Sequence, residues 1–236
     1  MKRFYKDVSI APEGTGWRVL LDGKPIRTPA KAAQLVPSEA LAEVLALEWS
    51  AQGPEIIPAG FIFRDMADYA IDVVTRDPAA AAADLLRYAE TDTLCYRAEA
   101  GEALHERQTQ VWEPLLCAAE ARWDIHFERV DGILHRPQPQ ATLARMAAVL
   151  VPLDAFTMAA LTTLTTLAAS LVIGLAALEP DADGEALWAA ANLEEDWQAE
   201  LWGKDAEAIA LRARRYAEFS VAMRFEGLVR VQGSTL

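Results

Sequence analysis

The run from Ala155 to Leu178 carries no charged residue, and no other stretch so narrows what this chain can fold into. A segment that long and apolar must either cross a bilayer or be wrapped by the rest of the protein. Crossing is disfavoured by Thr157, Thr162, Thr163, Thr165 and Thr166, by many alanines, by Gly174, and by acidic flanks at Asp154 and Glu179 with no basic residue alongside to set an orientation. A span there would also strand two globular halves on opposite sides of a membrane. The expectation is a buried central helix, or two stacked helices broken near Thr165 and Thr166, with other helices packed around it. The threonine hydroxyls can bond back to helix carbonyls, which makes their burial tolerable.

What precedes this run divides in two. Phe4 to Ile10, Trp17 to Leu21 and Pro25 to Thr28 read as strands, with a turn over Pro12 to Gly16 and a tight hairpin at Asp22-Gly23, a pair that accepts positive φ. Ser38 is placed to cap a helix running through Leu41, Val44, Leu45 and Trp49 to Gly53. An extended connector, Pro54 to Pro58, leads to a second helix over Phe61 to Arg76 with Ile62, Met66, Tyr69 and Val73 inward. Asp77-Pro78 then restarts the chain, because proline is accepted at a first helical position. The expected class is α+β: a small mixed N-terminal domain with antiparallel strands over 1–77, and a larger all-α bundle over 78–236. In the second part, Ala79 to Glu90 and Glu102 to Trp123 read as helices, the latter with Leu104, Val111, Leu115 and Leu116 inward and a disturbance at Pro114. Asp124 to Gln140 reads as irregular, or as a hairpin around Asp131-Gly132. The last helix begins at an Asp205 cap with Ile209, Ala213, Tyr216, Phe219 and Met223 inward, and the tail from Val229 is expected to be loose.

A formal net charge of −13 argues against nucleic-acid binding and against anionic lipid, since either partner would be repelled. Gly14-Thr15-Gly16 and Gly23-Lys24 lack the GxxxxGK[ST] spacing, and Pro25 stands where its Ser or Thr belongs, so no nucleotide site is expected. His105, His126 and His135 match no metal-ligand spacing, and Cys95 and Cys117 form no CxxC pair, so no metal or other cofactor is expected. Two cysteines in apolar helical contexts suggest buried thiols and a reducing compartment. Met1 to Asp7 shows neither a signal core nor an Arg-rich presequence, which leads to an expected bacterial cytoplasm. No nucleophile elbow, HExxH or dinucleotide fingerprint is present. Asp92 and Arg97 are read as a structural ion pair at a helix junction, beside Tyr96.

The functional interest lies near the end, in a helix capped by Asp181 or Asp183 and closed by Gly203. Trp188, Glu195 and Trp202 stand a heptad apart along one line of it, while Ala190, Leu193, Trp197 and Leu201 form the opposite stripe. A helix with indoles on both sides is either buried twice over or meets a partner with one face. An ionised carboxylate buried among indoles is unfavourable, whereas Glu195 at the edge of an exposed aromatic patch would anchor a partner's guanidinium or amides. Glu194 and Glu195 point about 100° apart on a helix, poor geometry for a shared proton.

The run Leu193-Glu194-Glu195-Asp196-Trp197-Gln198, with Leu201-Trp202-Gly203 and Asp205, resembles the C-terminal signature of the chaperones that assemble the F(1) sector of ATP synthase by binding its alpha subunit. Arg3-Phe4-Tyr5-Lys6, Val19 to Pro25 with Thr28-Pro29, Glu48-Trp49 with Gln52, Ala70-Ile71-Asp72, Tyr88 to Ala98 and Trp112 to Leu116 agree in order along nearly the whole chain. One departure precedes Ala70, where the family carries a Pro and a Thr and this chain has Ile62 and Arg64. The resemblance implies a chaperone without ATPase activity that holds the F(1) alpha subunit until beta displaces it. It aligns Glu195 with the family's critical glutamate, and implies partner contacts at Glu194, Trp188, Gln198 and Trp202, with Asp92, Tyr96, Arg97, Trp49 and Gly203 structural. Relatives in mitochondria would act in the matrix. Two other readings are a small-molecule enzyme with a pocket between its domains, using Asp92, Arg97 or Glu195, and a scaffold without a release step.

Overall fold

The computed structural model describes residues 1–132, 134–203 and 205–230. In chain order the elements are β1 (Val8–Glu13), β2 (Gly16–Leu21), β3 (Lys24–Pro25), α1 (Glu39–Ser50), α2 (Ile62–Tyr69), α3 (Pro78–Glu90), β4 (Tyr96–Arg97), α4 (Ala103–Trp123), β5 (Val130–Asp131), α5 (Gln140–Leu150), α6 (Ala155–Ala168), α7 (Leu171–Ala176), α8 (Gly184–Ala191), α9 (Leu193–Trp202) and α10 (Ala206–Arg230). The fold class is α+β, a small antiparallel sheet followed by helices. Two compact units are present, one of Met1–Pro78, Asp154–Ala160 and the chain from Val221, the other of Ala79–Leu153 and Leu161–Ser220. The sequence suggested a single cut after residue 77. The later segments join the first unit because Phe156 and Phe63 each stack on Phe225, with 6.4 Å between centroids in both pairs.

In the first unit β1, β2 and β3 form an antiparallel meander, with Val8 opposite Leu21 and Glu13 opposite Gly16. Strand pairing starts at Val8 rather than Phe4, and the turn is the two residues after Glu13. At the second turn Asp22 and Gly23 adopt φ of 49° and 74°, the left-handed pair that a two-residue hairpin between Leu21 and Lys24 requires. Asp22 is held there by its carboxylate, which accepts the N–H groups of Lys6 and Asp7. Ser38 caps α1, its Oγ accepting from Leu41 N at 3.0 Å and donating to Leu228 O at 2.7 Å. Trp49 closes the core, edge-on to Tyr5 and tilted against Phe61, while the Tyr5 hydroxyl donates to its carbonyl at 2.6 Å.

Glu48 reaches from α1 to accept the N–H groups of Phe63 and Arg64 at the start of α2, and Arg64 lies 3.8 Å over the Phe61 ring. Those contacts occupy the place where the family pattern differs. The expected inward face of this helix was one residue out of phase: Phe63, Met66, Ala67, Ala70 and Val74 are buried, and Val73 is exposed. The cause is a π turn at Ala70–Val74, whose extra residue rephases everything after it. Asp72, in that turn, accepts from Thr28 Oγ1 at 2.7 Å and Ala30 N at 2.9 Å, which ties two of the sequence motifs together.

The second unit is built around α7, of which Leu171, Val172, Ile173, Gly174 and Leu175 are all buried. The charge-free run is thus two helices, broken at Ala169 (φ 50°) and Ser170, a few residues later than Thr165-Thr166. Gly174 allows the close approach: a Cβ there would stand 2.3 Å from Thr165 Oγ1. Among the described residues no helix is long and apolar enough to cross a membrane. Asp92 does not pair with Arg97. Its carboxylate is fully buried and accepts from Leu94 N at 3.1 Å and Val172 N at 3.0 Å, so it caps a 3-10 turn and α7 together. Arg97 instead donates to Glu113, which also receives Arg129.

Helix α4 runs through Pro114 without a break and buries Gln108, Trp112, Leu116 and Ala119, a different stripe from the one expected, with Val111 exposed. Trp112 selects that face, because its indole N–H donates to Ala190 O on α8 at 2.8 Å. The segment after α4 does not fold back as a hairpin: β5 lies parallel to β4, pairing Val130 with Tyr96. Cys95 is buried, whereas Cys117 is exposed on α4.

Burial pushes the carboxyls of Asp68 and Asp92 up to about 6 from an ordinary 3.8. A carboxyl with the higher pKa in the folded state binds its proton more tightly there, so its contribution is complete below the unfolded value and lost as pH rises through 6. Glu113 runs the other way. Arg129 first, then Arg97, holds it down to about 2, so its contribution is present above 4.5 and lost as pH falls toward 2. Resistance to urea is expected to rise from about pH 7 to pH 5 and to decline in stronger acid, and Asp68→Asn should flatten the rise. An unchanged rise in that variant would remove Asp68 from the account.

Candidate functional site

The focal helix read from the sequence is two helices. Asp183 caps α8, accepting from Ala186 N at 3.0 Å, and α8 ends at Asn192, whose side chain donates back to Trp188 O at 2.8 Å. The heptad line through Trp188, Glu195 and Trp202 is therefore interrupted. Trp188 belongs to the core, 5% exposed and packed against Phe219 and Tyr216 at centroid distances of 5.4 and 6.0 Å. Trp202, at the other end, is 78% exposed.

Helix α9 is anchored along one side. Leu193 is buried, Glu194 accepts from Gln108 Nε2 at 2.6 Å, and Gln108 in turn accepts from Ala98 N at 2.8 Å. Arg107 grips Glu200 through both guanidinium nitrogens and lies 5.6 Å over the Trp197 ring. On the side toward α10, Asp196 takes Arg212 in a two-pronged ion pair, with Nη2 to Oδ2 at 2.7 Å. Gly203 closes α9 at φ 93°, and Asp205 opens α10 by accepting Ala208 N at 3.1 Å.

Between these helices the chain leaves space. One cavity of about 390 Å³ is lined by Trp188, Tyr216, Ile209 and Ala213. A second of about 390 Å³ is lined by Gln198, Trp202, Leu211 and Arg215. Glu195, Ala199, Asp205, Ala208 and Arg212 line both. Leu201, Ile209 and Leu211 are exposed around them, forming with Trp202 a contiguous stretch of apolar side chains of the kind that marks an interaction surface. Glu195 is exposed and has no hydrogen-bond or ion-pair partner among the described residues. Asp196 and Glu194, its neighbours on either side, are both engaged.

The profile of the ATP12 chaperone protein family matches residues 2–120. The chain belongs to the ATP12 chaperone family. The assembly chaperones of ATP synthase, to which the sequence motifs pointed, are the family found. Atp12 from Paracoccus denitrificans superposes on this ATP12 chaperone with a TM-score of 0.90 at 38% identity, over 97% of this chain and 98% of that one. The Atu1473 protein of Agrobacterium tumefaciens gives 0.91 at 41% identity, over 97% and 86%. Protein atp12, mitochondrial, of Schizosaccharomyces pombe is 25% identical over 214 residues, 86% of this chain and 74% of its own length.

Of the residues singled out from the sequence, Glu195, Gln198 and Trp202 stand together on exposed faces of α9 in this ATP12 chaperone, and Trp188 forms the floor of one cavity. Tyr96 lies apart, its hydroxyl 2.9 Å from His135 Nδ1. The inward face expected for the start of α10 is corrected: Ile209 and Ala213 are exposed, and burial begins at Phe219 and continues through Ala222 and Phe225. Tyr216, Arg212 and Leu211 were not recognised as site residues. Their signal was present in Ala206-Glu207-Ala208-Ile209-Ala210-Leu211, where small residues alternate with larger ones and supply no continuous face to bury. Neither thiol is primed for attack, since burial raises the Cys95 pKa and the Glu113 carboxylate raises that of Cys117.

Proposed function

We propose that this chaperone captures unassembled F(1) alpha subunit, covers a surface that would otherwise aggregate, and yields it when beta subunit arrives, with no catalytic step of its own. Glu195 carries the reading. It is an exposed carboxylate without an internal partner, set among exposed Leu201, Trp202, Ile209 and Leu211. An apolar surface covered by a client lowers the local dielectric, so a charge-assisted bond made there is stronger than one in open water. Glu195 is thereby suited to stand in for an acidic group of the beta subunit against a cation or amides of alpha.

The test uses purified alpha subunit and its aggregation, followed by light scattering. Glu195→Gln is expected to keep the wild-type melting temperature, because the side chain makes no internal bond, and to weaken capture roughly tenfold or more, the loss of one charge-assisted hydrogen bond. Undiminished capture would refute the role of Glu195. Adding purified beta subunit to the complex should release alpha, and a complex that persists would favour a scaffold.

A further inference from the structure

Helices α9 and α10 face one another across the two cavities through Ala199, Ala208 and Ala213, side chains too small to fill the gap. The larger chamber walls, Trp188 and Tyr216, are aromatic, and Ile209 stands at the mouth. A gap that a protein leaves unfilled by its own side chains, with rings as its floor, is shaped to receive side chains from elsewhere. The charges around it decide which. Arg212 is neutralised by Asp196, and Arg215 donates to Leu167 O at 3.1 Å, so the cations of the cleft are engaged. Glu195 and Asp205 remain without a countercharge among the described residues. An anion would meet uncompensated carboxylates there, whereas a cation beside an apolar group would meet both of its complements.

Resting on the proposed capture of alpha subunit, we infer that the client element seated here is a segment carrying one bulky apolar side chain next to an arginine or lysine. The apolar side chain enters the chamber between Trp188, Tyr216 and Ala213, and the neighbouring cation pairs with Glu195. The apolar insertion supplies most of the affinity, as buried anchor side chains do, and the ion pair sets register and the rate of encounter. The chamber is thus a specificity pocket, separate in its effect from the carboxylate beside it.

Filling the chamber from within separates the two effects. Ala213→Phe places a ring at an exposed helical position, where it should leave the melting temperature and the oligomeric state unchanged while occupying the chamber. With purified alpha subunit it is expected to lose capture at least about tenfold at every salt concentration, although Glu195 is intact. Ala213→Ser should behave as wild type. Glu195→Gln should instead reduce the salt dependence of capture, because it removes the screened part of the interaction. Wild-type capture by Ala213→Phe would overturn the pocket while leaving the chaperone reading in place. A wild-type protein that fails to hold alpha at all would overturn both. Self-association of the unliganded wild type that Ala213→Phe abolishes would make the occupant a second copy of this chain, and would also overturn the inference.

Discussion

Replacing Trp112 with alanine is expected to be the most damaging single change in the second unit, lowering stability by about 3–5 kcal/mol. The ring is fully buried, and its N–H is spent on the Ala190 carbonyl, so truncation opens a cavity and orphans an acceptor at once. For a chain of this size that corresponds to a fall of roughly 10 °C in melting temperature. Trp112→Phe retains most of the ring and loses the hydrogen bond, and should cost about 1 kcal/mol. Calorimetry on the two variants measures both terms. A loss in the alanine variant no greater than in the phenylalanine variant would mean that α4 and α8 are not held by this side chain.

Charge reversal at Glu195 is expected to have the largest effect on function. Glu195→Lys removes the attraction that Glu195→Gln removes and adds repulsion against the client cation, so capture of alpha subunit should fall by roughly a hundredfold or more, beyond the neutral variant. Stability should move by no more than about 0.5 kcal/mol, as for a surface substitution away from internal bonds. Co-purification of alpha subunit with each variant gives the order wild type, Gln, Lys. A lysine variant that captures no worse than the glutamine variant would place the client's cation elsewhere.

The features legible in the sequence were those written in neighbouring residues. Ser38, Asp183 and Asp205 cap the helices they precede, because a cap is a bond to an N–H two or three positions on. The turn at Asp22-Gly23 is equally local. Asp92 was misread for the opposite reason: its acceptor role is completed by Val172, far along the chain, and nothing near Asp92 announces that partner. Faces were misplaced where a local insertion or a missing neighbour defeated simple periodicity. The π turn at Ala70–Val74 shifted the end of α2, and the first turns of α10 have apolar residues with nothing packed on them. Glu195 itself was found by family likeness and by the cost of burying a charge. The cavity beside it was not legible, because it exists only where Trp188 and Tyr216, from different helices, are brought together.

The interruption at Asn192 keeps two obligations apart. On the near side of it Leu187, Trp188 and Ala190 are committed to the interior, and beyond it only Leu193 is buried in α9. A continuous rod would have made every adjustment on its outer face a disturbance of the inner one. With the break, the outward surface of α9 is free to drift in step with a changing client while the scaffold beneath stays under its own selection, so recognition can evolve at little expense to folding.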